Sequence, residues 1–326
     1  MSARRISIAA LLACALLAAC GGDDSSPGDQ PPPAARAEDF PKPGGKSLVE
    51  LLNQVGASGP VLAPSGLELR TGSHRFGFAL FNRSREQITD ASVAVYAAPA
   101  GGGPAKGPYL ARYESMLVKP QFQSRQTASD PDSATSIYTA EIPFDKPGKY
   151  ELLGIARLGG KLVAATTPMP GVEVKKESGD PIPAVGTRPP RIHTPTEGEV
   201  GGDVASIDTR LPPSSMHHAD FADVLGKKPV VLLFATPQLC QSRVCGPVVD
   251  VAEQVKAVSG DDVEFIHMEV YRDNRIDRGI RPQMAAFRLQ SEPWLFVFDR
   301  SGKVAARIEG AFSARELEQA ISKASG

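Results

Sequence analysis

Pro229-Val230-Val231-Leu232-Leu233-Phe234 is a continuous apolar run in the C-terminal half of a chain of 326 residues. Such a run is typical of a strand that is buried on both faces of a sheet. A helix with one apolar face is predicted next, because apolar residues recur one helical turn apart at Val248, Val251, Ala252 and Val255. The run therefore predicts a strand followed by a helix.

The rest of the C-terminal half continues this alternation of strands and helices. Residues 263–271 have a strand pattern, residues 283–289 a helical one, and residues 294–298 and 304–308 flank a turn that joins antiparallel strands. Ser313 and Glu316 form a capping box that predicts the start of the last helix. The predicted element order is β-α-β-α-β-β-α.

Two cysteines follow the first buried strand, Cys240 and Cys245, with four residues between them. A thiolate is stabilised at a helix N-terminus, and a second thiol nearby can release a mixed disulfide. In a regular helix two residues five apart have Cα atoms about 8.7 Å apart, which is too far for a disulfide. The pair can therefore close only if Cys240 lies in the loop before the helix or if the first turn of the helix is distorted.

The element order and these cysteines resemble the thioredoxin fold over residues 203–326. Residues 222–236 look like the lead-in of membrane-tethered thiol-disulfide oxidoreductases and peroxiredoxin relatives, and Ser291-Glu292-Pro293-Trp294 resembles the cis-proline segment of that family. The resemblance implies an α/β thioredoxin-like domain, a cis bond before Pro293, and protein thiols or disulfides as substrates.

The resemblance also implies a role for each residue of the site. Cys240 is assigned as the nucleophile and Cys245 as the resolving thiol, beside Pro293. Arg243 is a candidate for lowering the thiol pKa further. This sequence departs from the family in two places: Leu239 replaces the aromatic residue before the first cysteine, and the buried acid of the first strand is missing.

Two alternatives to catalysis remain open for the cysteine pair. The first is a structural Cys240–Cys245 disulfide in a non-enzymatic surface lipoprotein. The second is copper handling, because a branch of the same superfamily uses paired cysteines with a distant histidine, and Met216, His217, His218 and His267 lie in the same half. The preferred interpretation includes no metal ion and no cofactor.

The N-terminal half has a different pattern. After a helix-like stretch at 47–55, residues 74–81, 91–96, 135–142 and 148–155 alternate in the manner of strands. Short strands with Gly, Pro and Asn breaks predict an antiparallel β-sandwich over residues 47–176. The segment Phe144–Leu152 resembles the strand entry of extracellular immunoglobulin-like domains, which implies a sandwich of that type.

Two segments rich in Gly and Pro divide the chain. Gly and Pro supply eleven of residues 21–45 and ten of residues 177–202. Such composition is typical of flexible connectors. The expected organisation is a spacer at 21–46, the sandwich at 47–176, a linker at 177–202, and the thioredoxin-like domain at 203–326.

The first twenty residues have the pattern of a secretion signal. Two arginines precede an apolar stretch that is too short to span a membrane. The stretch ends in Leu17-Ala18-Ala19-Cys20, which resembles the bacterial lipobox and implies lipidation of Cys20. We therefore expect a protein that is anchored by lipid on the extracytoplasmic face of the bacterial membrane or envelope.

The charge of the chain excludes one class of partner. Its 36 Lys and Arg residues nearly balance its 37 Asp and Glu residues, for a formal net charge of -1. No overall basic field exists to attract nucleic acid. The expected partners are the membrane, through the N-terminal lipid, and protein substrates in thiol-disulfide exchange.

Overall fold

The computed structural model describes residues 31–56, 59–167 and 171–326, so Cys20 and the predicted signal peptide lie outside the described residues. Contacts group residues 31–326 into one compact unit. Nine strands form the first sheet: β1 Val61–Pro64, β2 Leu69–Arg70, β3 Gly72–Phe81, β4 Ser92–Pro99, β5 Lys106–Ser115, β6 Ser136–Phe144, β7 Gly148–Leu158, β8 Lys161–Thr166 and β9 Val172–Lys175.

This first sheet closes on itself. Its order runs β7-β4-β5-β6-β3-β1-β8, and β8 pairs back with β7, which gives a closed barrel of seven strands. The pairing of Val61 in β1 with Thr166 in β8 is parallel, whereas the other pairings within the ring are antiparallel. Strands β2 and β9 extend the sheet beyond the ring.

The second sheet is smaller. It contains β10 Val230–Phe234, β11 Glu264–Met268, β12 Trp294–Phe298 and β13 Val304–Glu309, in the order β11-β10-β12-β13. The described helices of the chain are α1 Leu48–Val55, α2 Arg125–Ser129, α3 Phe221–Val224, α4 Cys245–Ser259, α5 Pro282–Ala286 and α6 Ala314–Ser325. Ser313 and Glu316 form the predicted capping box at the start of α6.

The predicted fold class is wrong. The chain forms a closed mixed β-barrel with extra strands and a second small sheet, instead of an immunoglobulin-like sandwich followed by an α/β thioredoxin-like domain. The alternating strands lie near their predicted positions, but alternation is the same in an open sandwich and in a closed barrel. Closure depends on β8, which joins β7 to β1. The segment Phe144–Leu152 holds the last residue of β6, a short connection and the first residues of β7, which pairs with β4, β8 and β9.

Strand β10 is the centre of the second sheet, and all five of its residues are fully buried. Val231 and Leu233 face α4 and α6, whereas Leu232 and Phe234 face a layer that contains Phe221. Burial on both faces explains why the strand is a continuous apolar run.

The barrel and the second sheet meet along a shared core. Met116 and Ile137 of the first half belong to the same apolar cluster as Cys245 and Val248. Polar contacts cross the same junction: the Arg75 guanidinium donates to the Glu316 carboxylate at 2.7 and 2.9 Å. The segment that contains α2 also packs against α4, because the Ser124 amide donates to the Asp250 carboxylate at 3.0 Å.

Most of residues 177–202 have irregular backbone. The division of the chain at this segment into a domain at 47–176 and a domain at 203–326 stays a prediction. This segment contributes two buried isoleucines, Ile182 and Ile192, to the core beside β10. Within the described residues, no helix is both long and apolar enough to cross a membrane.

Candidate active site

The cysteine pair lies where β10 ends and α4 begins. Cys240 is partly exposed in the loop before the helix, and Cys245 is the first residue of α4 and completely buried. Cys240 thus lies in the loop before the helix, which is an arrangement that allows the two thiols to approach each other. The two Sγ atoms and a carboxylate oxygen of Glu292 all lie within 4.8 Å of one another. These three residues are called the thiol cluster below.

The predicted Cys240–Cys245 disulfide is absent, because both side chains are free thiols. A disulfide needs a sulfur–sulfur distance of about 2.05 Å. The pair is therefore in its dithiol state, with one thiol accessible and the other enclosed.

The surroundings give the two thiols opposite acidities. Hydrogen bonds from the Cys245 thiol, from Ser242 and from the backbone amides of Val244 and Cys245 lower the pKa of Cys240 to about 5. The Ser242 hydroxyl lies 3.2 Å from the Cys240 sulfur. Complete burial raises the pKa of Cys245 well above its ordinary value, and the neighbouring Cys240 raises it further. Cys240 is therefore the thiolate at neutral pH and Cys245 the thiol.

Glu292 is a member of this cluster that sequence reasoning missed. Its Oε2 atom is buried and has no hydrogen-bond partner. Burial, with the negative charges of Cys240 and Glu269, raises the pKa of Glu292 to about 8. Its position directly before Pro293 is the signal in the sequence that could have identified it.

The peptide bond between Glu292 and Pro293 is cis, as the resemblance implies. The Pro293 carbonyl accepts a hydrogen bond from the Gly310 amide at 2.8 Å. Glu292 lies two residues before β12, and its carboxylate lies beside the thiols.

A cavity of about 450 Å³ opens beside the cluster. Cys240 and Glu292 lie on its wall, together with the apolar or aromatic side chains of Tyr271, Met284 and Leu289. Cys240 is therefore accessible from this cavity, whereas Cys245 is completely buried.

The Arg243 side chain pairs with carboxylates of the first half of the chain. Its guanidinium forms ion pairs with Asp130, at 3.2 Å, and with Asp132, both from the segment that follows α2. Its backbone is left-handed, with φ at 57°, and its carbonyl accepts from the Ala134 amide at 3.4 Å. The predicted effect of Arg243 on the thiol pKa stays a prediction. In the structure its contacts join the cysteine loop to the first half of the chain.

A second polar cluster lies in the same half and contains two of the histidines considered for copper. Asp208, His217 and His267 are almost completely buried, and they are called the histidine cluster below. The Asp208 Oδ2 atom lies 2.9 Å from His217 Nε2 and 3.2 Å from His267 Nδ1. His218 is exposed and pairs with Glu197 at 3.2 Å.

The charge state of His267 follows from its two neighbours. Its Nδ1 faces Asp208, and its Nε2 faces the Ala235 carbonyl at 3.0 Å. Burial lowers the pKa of His267, but the Asp208 carboxylate outweighs burial and raises this pKa to about 9. Both ring nitrogens therefore act as donors, whereas a metal ligand needs a nitrogen lone pair. The three residues are close enough to surround an ion, but this geometry favours an internal ion pair.

Comparisons with known proteins give little further information. No family model matches the chain, and no curated protein matches it. One similar solved structure is that of MTB DsbF in its mixed oxidised and reduced forms, with 22% identity and a TM-score of 0.25. The match covers 34% of this chain and 92% of that one.

Proposed function

We propose that this protein carries out thiol-disulfide exchange, with Cys240 as the attacking thiol and Cys245 as the resolving thiol. One observation carries the proposal. A partly exposed cysteine of low pKa lies within 4.8 Å of a completely buried cysteine of high pKa. An attacking thiol must be ionised and accessible, whereas a resolving thiol must wait close by.

The exchange has two balanced steps. The Cys240 thiolate attacks one sulfur of the substrate disulfide, so that a mixed disulfide forms and the other substrate sulfur leaves as a thiolate. Cys245 then loses its proton and attacks the Cys240 sulfur. The Cys240–Cys245 bond forms, the mixed disulfide breaks, and the second substrate sulfur leaves. The same steps in reverse oxidise a substrate dithiol.

Disulfide-bonded proteins are the substrates that we propose. The cavity beside Cys240 has both apolar and polar walls, which suits a peptide segment around a cysteine. Disulfides persist in extracytoplasmic compartments, and the proposed lipid at Cys20 would hold the protein there. Fractionation of a Cys20→Ala variant tests the anchor: we expect release from the membrane, and a variant that stays membrane-bound would overturn this part.

Single cysteine variants test the exchange itself. The reduced protein is mixed with glutathione disulfide, the reaction is quenched with acid, and the products are identified by mass spectrometry. We expect Cys245→Ala to accumulate a mixed disulfide at Cys240, because the resolving thiol is gone. We expect Cys240→Ala to accumulate almost none, because Cys245 is buried.

Wild-type protein provides the third measurement. It should pass through the mixed disulfide to the intramolecular disulfide and release glutathione. Faster modification of Cys245 than of Cys240 would reverse the roles, and failure of both variants to form a mixed disulfide would exclude exchange.

A further inference from the structure

Glu292 is a partly buried acid that the proposed exchange has not yet used. Its carboxylate lies within 4.8 Å of both cysteine sulfurs, and its Oε2 atom has no hydrogen-bond partner. A buried polar atom without a partner is costly, so such an atom in a reactive cluster indicates a group that changes its bonding during the reaction. The three groups are therefore placed to exchange a proton.

The second step of exchange creates the need for a proton acceptor. Cys245 is completely buried, and burial disfavours its thiolate. It must nevertheless become ionised to attack the mixed disulfide at Cys240. Water reaches an enclosed thiol poorly, so a nearby base is required.

We propose that Glu292 accepts the proton of Cys245 as Cys245 attacks the mixed disulfide, an inference that rests on the proposed exchange activity. The proton moves from the Cys245 sulfur to the Glu292 carboxylate. The Cys245–Cys240 bond forms, the bond between Cys240 and the substrate breaks, and the substrate sulfur leaves as a thiolate. In the reverse direction, protonated Glu292 returns the proton to Cys245.

The protonation state of Glu292 would depend on the charge of Cys240, and that charge is lost when Cys240 forms the mixed disulfide. In the dithiol state the Cys240 thiolate is one of the groups that raise the pKa of Glu292, after burial. In the mixed disulfide Cys240 carries no charge, so this contribution disappears and the carboxylate form becomes more favourable. The base is therefore best ionised when Cys245 must lose its proton.

A second carboxyl group adjoins this site from the strand side. Glu269 follows β11 and is 1% exposed. Its Oε1 accepts from the Thr209 amide at 2.7 Å and from the Thr209 hydroxyl at 2.6 Å, while its Oε2 has no partner. The groups that act on Glu292 are thus Cys240 and Glu269, with Cys245 and Tyr271 also close enough to interact.

The decisive experiment measures the resolution step in a Glu292→Gln variant. Reduced protein is mixed with glutathione disulfide, and the decay of the mixed disulfide is followed after acid quench from pH 6 to pH 9. We expect resolution at pH 7 to slow by about 100-fold, within the usual range for the loss of a general base. The difference in this rate between wild type and Glu292→Gln should become smaller as pH rises, because hydroxide replaces the missing base.

Two further variants separate proton transfer from structural damage. Glu309→Gln removes another partly buried carboxyl, which accepts from the Ser291 hydroxyl at 2.6 Å outside the thiol cluster, and this variant should resolve the mixed disulfide at the wild-type rate. Glu292→Asp keeps a carboxylate and should recover part of the lost rate. Alkylation of Cys240 should proceed in Glu292→Gln, which shows that the attacking thiol is intact.

The possible failures are distinguishable. If wild-type protein forms no mixed disulfide or does not resolve it, the exchange activity itself is excluded. If wild-type protein resolves and Glu292→Gln resolves equally fast, only the role of Glu292 is excluded. A loss of rate in Glu292→Gln that is equal at every pH would also overturn this role, because it would indicate a positional effect.

Discussion

The histidine cluster, which is almost completely buried, and the thiol cluster, in which only Cys245 is completely buried, differ in how their polar atoms are satisfied. In the histidine cluster Asp208 accepts from the Ser214 and Arg210 amides, each at 2.7 Å, as well as from both histidines. In the thiol cluster Glu292 Oε2 has no partner and Cys245 is an enclosed thiol. Satisfied networks rigidify a core, whereas unsatisfied ones are typical of reactive sites.

The largest effect that we predict concerns the histidine cluster. Asp208→Asn keeps the side-chain shape but leaves the buried His267 cation without its counter-charge. Breaking a buried ion pair in this way costs about 3–5 kcal/mol. Urea unfolding at pH 6 should show this loss in the free energy of unfolding. Glu197→Gln removes the partner of exposed His218 and is the matched control, with an expected cost below about 1 kcal/mol.

The pH dependence of this effect follows from the two pKa shifts. The pKa of His267 is raised from 6.5 to about 9, so its stabilisation is complete below pH 6.5 and is lost as pH rises through 9. The pKa of Asp208 is lowered from 3.8, so its contribution is present above that pH. The difference between wild type and Asp208→Asn should thus be largest between pH 4 and pH 6.5. Equal costs for Asp208→Asn and Glu197→Gln would contradict the distinction between the clusters.

The contribution of Glu292 to the free energy of unfolding should change with pH in the opposite direction to that of Asp208. The pKa of Glu292 is raised from 4.5 to about 8, so the folded protein binds this proton more tightly than the unfolded chain does. Stability is therefore lost as pH rises from 4.5 to 8. Replacement by the neutral Gln removes this loss, and we expect Glu292→Gln to be about 1–2 kcal/mol more stable than its parent at pH 8 and nearly equal at pH 5.

That measurement is best made in a Cys240→Ser background, where the titration of Cys240 does not interfere. Burial is the main cause of the raised pKa of Glu292 and is retained in this background, as is the charge of Glu269. Urea unfolding at the two pH values gives the comparison. If Glu292→Gln destabilises the protein more at pH 8 than at pH 5, Glu292 is a satisfied anion and the two clusters are alike.

Sequence reasoning could locate the elements but could not determine how the first sheet closes. Periodicity depends on neighbouring residues, so the buried strand at 230–234 and the capping box at Ser313 are visible in the sequence. The pairing that closes the barrel joins Val61 to Thr166, across more than a hundred residues of chain. No local pattern specifies such a contact, and the same alternation suits a sandwich.

The residues of the candidate site also differ in whether the sequence alone can reveal them. Cys240, Cys245 and Pro293 stand out by residue type and by their order along the chain. Glu292 acquires its properties from burial and from an unpaired oxygen, which exist only in the folded chain. Arg243 has the charge expected of a group that lowers a thiol pKa, but its ion-pair partners Asp130 and Asp132 are more than a hundred residues away in the sequence.

The smallest effect that we predict separates local hydrogen bonds from charge at Cys240. The Ser242 hydroxyl lies 3.2 Å from the Cys240 sulfur, whereas the Arg243 guanidinium faces two aspartates. A hydrogen bond to a charged group is worth about 1.5 kcal/mol, so Ser242→Ala should raise the pKa of Cys240 by about one unit. Arg243→Ala should leave this pKa nearly unchanged, and it keeps a Cβ at a left-handed position, so backbone strain stays comparable. The pH dependence of the rate of alkylation by iodoacetamide measures both. A larger shift in Arg243→Ala than in Ser242→Ala would mean that the acidity of Cys240 depends on the charge of Arg243 more than on the local hydrogen bond from Ser242.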